Sequence, residues 1–178
     1  TWRRNINYGR FFSEKGFLII SPTFRHHKHG NAWSRELGKT SVQNYASDVL
    51  WLIKLLYNGE LIPNFKPARP PVLMGHSMGG LVAQVVAAKT KLSGLITLCS
   101  APPAGVSLHT NKDYAKRIMR VAFRIFSGKP YLPDRESLSL YVYNGMPVDE
   151  HKTLYSKAVH ESGTSSREIL AGSGAGLA

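Results

Sequence analysis

The stretch PPVLMGHSMGGLVAQVV, residues 70–86, constrains the fold most tightly. Pro70 and Pro71 block any earlier start of a strand, because proline donates no ladder hydrogen bond. VLMGH then reads as a short strand. Gly75-His76-Ser77-Met78-Gly79 fits the pattern G-x-S-x-G, and MGGLVAQVVAAKTK reads as a helix that opens on small residues. A strand passing straight into a helix through this pattern lifts a serine hydroxyl clear of the sheet. Side chains at Gly75 and Gly79 are expected to clash with the neighbouring strand and helix. The Met78 N–H falls at the start of the helix, where it can donate to a developing oxyanion.

The flanks repeat the alternation. NINYGRFFSEKG (5–16) reads as a helix with Ile6, Tyr8, Phe11 and Phe12 on its apolar side and Gly16 able to end it. FLIIS (17–21) reads as a buried parallel strand stopped by Pro22, and 22–40 as a polar loop. SVQNYASDVLWLIKLLYNG (41–59) is a strongly amphipathic helix. Val42, Tyr45, Val49, Leu50, Ile53 and Leu56 share a face, Thr40 or Ser41 can cap it, and Gly59 can close it. GLITLCS (94–100) is the next strand, with Cys99 expected as a small buried hydrophobe. Strand and helix in alternation predict a parallel sheet with right-handed crossovers.

After residue 105 the pattern becomes helical. KDYAKRIMRVAFRIF (112–126) is a basic amphipathic helix. Ile118, Met119, Ala122, Phe123, Ile125 and Phe126 are set against Lys116, Arg117, Arg120 and Arg124. SLSLYVYNGM and PVDEHKTLYSKAVH read as two shorter helices, with Pro147 in a first turn and Asp149 and Glu150 near the positive end of the dipole. The expected division is a partial core over 1–105, a helical cap over 106–170 and a flexible tail over 171–178.

VLMGHSMGGLVAQ resembles the nucleophile elbow of the α/β-hydrolase superfamily, in particular its serine esterase and lipase-like members. FFSEKGFLIISPTFRHH is similar to helix A and strand 4 of that family, TSVQNYASDVLWLI to helix B, and LITLCSAPPAG to strand 6 and the exit into a cap. LYSKAVHESGTSSREI resembles the end of a helical cap. The resemblance implies the central part of an α/β-hydrolase sheet, flanked by helices and followed by the cap. It also implies Ser77 as nucleophile, the Met78 amide as one oxyanion donor, and His76 as a structural neighbour rather than a base. The second oxyanion donor is expected before Thr1, and the catalytic acid and base are expected beyond residue 178. No cofactor is implied.

Other residues are candidates for the missing base. His109, on the path into the cap, can approach Ser77. His151 and His160 are read on one cap helix, His160 as a pocket-lining candidate, and Asp113, Asp134, Asp149 and Glu161 as solvated acids. Residues 26–30 read HHKHG, where His27 and His29 have H-x-H spacing, but a zinc site needs three or four ligands and no metal is assigned. The loop is read as solvated, with a role at the rim of the pocket as the alternative.

The expected function is hydrolysis of a carboxylic ester, as by a carboxylesterase, lipase or lysophospholipase, through an acyl-enzyme on Ser77. The aromatic and aliphatic cap favours an acyl ester or lipid with an apolar portion. Two alternatives stand beside it: a non-catalytic member binding an apolar ligand, and a binder of anionic surfaces. The net charge of +12 motivates the last, with eight Lys/Arg against two acids in residues 1–40 and ten against seven in 106–178. An anionic membrane surface is thus a candidate partner. No specific nucleic acid is expected, since zinc-finger spacing and RNA-binding aromatic motifs are lacking. A single cysteine excludes an internal disulfide and favours a cytoplasmic setting.

Overall fold

A computed structural model describes residues 2–27, 34–106 and 112–172. Helix α1 (Trp2–Glu14) opens the chain, and Gly16, at φ 85°, turns it away. Helix α2 (Arg35–Lys39) follows, then α3 (Val42–Asn58), strand β1 (Val72–His76), α4 (Met78–Ala87) and β2 (Gly94–Leu98). Four helices complete the described chain: α5 (Lys112–Phe126), α6 (Arg135–Tyr141), α7 (Glu150–Tyr155) and α8 (Gly163–Leu170).

The two strands pair in parallel, with Val72 opposite Gly94 and His76 opposite Leu98. The crossover between them is α4, as the alternation predicted. Val42, Tyr45, Ala46, Val49 and Ile53 of α3 bury against Leu81, Val82, Val85 and Val86 of α4, and Leu73 of β1 packs onto the same cluster. Each of the Val, Leu and Ile side chains contributes about 1.5–3 kcal/mol when fully buried. Ser41 is the cap of α3. Its hydroxyl accepts from the Asn44 amide at 3.1 Å, while Asn44 Oδ1 accepts from the Ser41 amide at 2.9 Å. That is a reciprocal box with asparagine in the usual glutamate place.

Several expectations need correction. FLIIS is not a buried strand: among the described residues 17–21 form no sheet pairing, and Phe17 is 58% exposed. A strand exists only where a neighbour's edge accepts its hydrogen bonds, and among the described residues β1 pairs with β2 alone. Tyr8 and Phe11 of α1 are likewise exposed rather than packed. The supposed polar loop contains α2, capped by the Ser34 hydroxyl. Pro147 precedes α7 in a turn rather than opening it, and α7 ends at Tyr155, so His151 and His160 do not share a helix.

A second packed region joins α2, the end of α5 and α8. Backbones approach too closely there for side chains. A Cβ on Gly163 would lie 2.5 Å from the Lys129 carbonyl oxygen, and one on Gly38 would run into the Gly128 carbonyl and Pro130. Ser162, fully buried, donates to the Thr40 carbonyl at 2.6 Å and accepts from the Ser165 amide at 3.2 Å. Glu168 of α8 accepts from the Val42 amide at 2.9 Å, satisfying a first-turn donor of α3. Tyr131 and Glu161 exchange backbone hydrogen bonds at 3.1 and 2.8 Å.

Candidate active site

Ser77 stands between β1 and α4 at φ 54°, ψ −124°. This lies outside the regions that residues with a Cβ occupy readily, and a conformation of this kind costs about 1–3 kcal/mol. The surroundings hold it there. Its amide donates to the Leu98 carbonyl at 3.0 Å. Its carbonyl accepts from Ala101 at 3.0 Å and from Gly80 at 2.9 Å. Gln84 of α4 donates to the Ser100 hydroxyl at 2.8 Å, which itself donates to the Ala101 carbonyl at 2.8 Å. The turn is therefore tied to the end of β2 on one side and to α4 on the other. The Ser77 side chain is exposed and free of a capping bond to its own helix.

The glycines do not divide the work as expected. A Cβ on Gly75 would collide with the Gly79 carbonyl, so glycine is required there. A Cβ on Gly79 would meet nothing within 4 Å. The second close approach belongs to Gly80, where a Cβ would lie 2.6 Å from Ser100 Oγ and 3.0 Å from Ser100 Cα. The doubled glycine of SMGG was the available signal. Met78 opens α4, so its N–H has no intrahelical acceptor. His76 is exposed at the end of β1.

Cys99 is also corrected: it is exposed, at φ 44°, because it follows the last residue of β2 and turns outward.

This geometry, a serine pinned at positive φ between a parallel strand and a helix whose approach demands glycine, agrees with the match of the sequence to the alpha/beta hydrolase family over residues 1–168. The chain belongs to the α/β-hydrolase family. No curated protein matches it.

The remaining candidates of this α/β hydrolase fall elsewhere. His109 and His29 lie outside the described residues. Among the described residues, no histidine or carboxylate hydrogen-bonds the Ser77 hydroxyl. His151 is half-buried, its Nε2 3.2 Å from the Met146 carbonyl. His160 is half-buried, and burial together with Arg124 lowers its pKa. Asp134 is not merely solvated; it caps α6, accepting from the Ser137 amide at 2.9 Å. No three His, Cys, Asp or Glu among the described residues are grouped to hold a metal ion.

His27 departs most from the solvated loop that HHKHG suggested. Its side chain is 7% exposed and its Nε2 lies 3.2 Å from Glu161 Oε2. Its ring sits beside those of Tyr45 and Phe24, 5.8 and 6.4 Å away between centroids. Burial opposes a charge on His27, but the Glu161 bond and charge, with the Arg25 and Phe24 carbonyls, outweigh it and raise its pKa. Burial, and next the charge of Glu161, push the Tyr45 phenol upward.

Proposed function

We propose that this chain is a serine hydrolase of carboxylic esters, with Ser77 as nucleophile. The observation that supports the reading best is the Ser77 backbone at φ 54°, ψ −124°, held from both sides by Leu98, Gly80 and Ala101. Strain kept in one place by several hydrogen bonds marks a residue whose position matters more than its comfort.

In this reading Ser77 Oγ attacks the ester carbonyl carbon and the alcohol leaves with a proton. Water then attacks the acyl-enzyme and releases the acid. The Met78 amide donates to the oxyanion of each tetrahedral intermediate, a contribution of about 3–4 kcal/mol for one such donor. The base that takes the Ser77 proton is not assigned to any described residue. The favoured substrate is an ester with an apolar acyl portion, in keeping with the aliphatic and aromatic side chains of residues 112–148.

The test is hydrolysis of p-nitrophenyl butyrate by the chain and by its Ser77→Ala variant. The proposal predicts a nitrophenol burst followed by steady turnover, both absent from Ser77→Ala. Hydrolysis above the uncatalysed rate that is equal for the two proteins would remove Ser77 from the chemistry.

A further inference from the structure

Helix α5 has a wider apolar arc than its neighbours cover. Ala122 and Ile125 are buried, and Ile118 and Val121 are half-buried beside them. Met119, Phe123 and Phe126 are 70%, 75% and 61% exposed. At about 100° per residue these three fall within one narrow stripe. Cations border it. Lys112 and Lys116 are exposed along the stripe, and Arg120 flanks it. Lys129 reaches back over the Phe123 ring, its Nζ 5.0 Å from the centroid. Of the nearby acids, Asp113 is exposed beside Lys112 in the first turn of α5, and Glu136 is engaged by Arg117 at 2.8 Å and by Arg120 at 3.6 Å, so the stripe with Lys112, Lys116, Arg120 and Lys129 keeps a net positive border.

Large apolar side chains ringed by lysine and arginine match a lipid headgroup boundary: the rings and thioether enter the acyl region while the ammonium groups meet lipid phosphates. No described helix is long and apolar enough to cross a membrane, so the contact is one along the surface. The net charge of +12 supplies attraction to the same surface. We propose that α5 docks this protein on an anionic lipid surface through Met119, Phe123 and Phe126, with Lys112 and Lys116 reading the headgroup charge. The proposal does not depend on the reaction at Ser77.

The test is co-sedimentation of the full chain with vesicles of phosphatidylcholine, with and without phosphatidylserine. The chain should bind the anionic vesicles and lose binding as salt is added. The double variant Lys112→Ala, Lys116→Ala should bind about thirtyfold more weakly, at roughly fivefold per lysine. Met119→Ser with Phe123→Ser, both exposed and so expected to fold, should lose binding at unchanged charge. Circular dichroism melts matching the parent confirm that folding is intact, and Ser77→Ala should bind like the parent. Binding unaffected by either double variant, or absent with the parent, would overturn the proposal. So would a serine variant that turns an oligomer into a monomer without affecting vesicles, since the stripe would then be a face between copies.

Discussion

His27 Nε2 lies 3.2 Å from Glu161 Oε2, joining the segment after α1 to the segment before α8 across 134 positions of sequence. The Nδ1 of the same ring is 3.3 Å from the Arg25 carbonyl. Two acceptors on two ring nitrogens call for two N–H donors, which only the imidazolium offers. The guanidinium of Arg25 is bonded to Asp48, Nε to Oδ2 at 2.8 Å.

A pH dependence follows. The His27 pKa is raised in the folded protein, so its stabilisation is complete below about pH 6.5 and fades as pH rises through the folded value. His160 has the opposite sign. Its lowered pKa gives stability that is present above about pH 6.5 and lost as pH falls. Denaturant midpoints measured from pH 5 to 9 should therefore fall on both sides. His27→Asn should flatten the alkaline limb, and His160→Gln the limb just below neutrality. An alkaline limb unchanged in His27→Asn would contradict the pairing.

The elbow glycines are not equivalent. Gly75→Ala forces a Cβ into the Gly79 carbonyl and should destabilise by about 3 kcal/mol, with loss of any Ser77 reactivity. Gly79→Ala has room, and alanine favours helix, so stability should stay within about 1 kcal/mol of the parent. Gly80→Ala meets Ser100 and should resemble Gly75→Ala. Equal losses at Gly79 and Gly75 in chemical denaturation would refute this division.

Ser162→Ala should cost about 1–3 kcal/mol, because the buried Ser165 amide loses its acceptor and the Thr40 carbonyl its donor. Glu168→Ala should cost less, since it frees only the Val42 amide at the partly buried start of α3. Equilibrium unfolding of the two variants checks the order, and a neutral Ser162→Ala would show that water replaces the hydroxyl.

Cys99 should react with a water-soluble disulfide reagent in the native protein at a rate near that of the unfolded chain. Protection by several orders of magnitude would restore the buried reading.

Local chemistry decided what could be read from the sequence. The β1–elbow–α4 unit was legible because proline, glycine and serine dictate its backbone one residue at a time. Helix α3 was legible because its apolar face repeats over 17 residues with caps at both ends. FLIIS carried the composition of a strand, but pairing depends on a neighbour and is not written in five residues. The union of α2, α5 and α8 was hidden because it rests on close backbone approach at Gly38 and Gly163 and on buried serines, which leave no hydrophobic period. His27 was misread because its loop is polar, while its partner lies far along the chain.

The central claim is that Ser77 is a reactive nucleophile. Labelling with a fluorophosphonate probe, followed by intact mass and peptide mapping, tests it most directly. The account predicts one adduct, on Ser77, absent from Ser77→Ala and from the parent unfolded in denaturant. A folded parent that takes no label would contradict it, and the elbow would then be a strained turn without an activated hydroxyl.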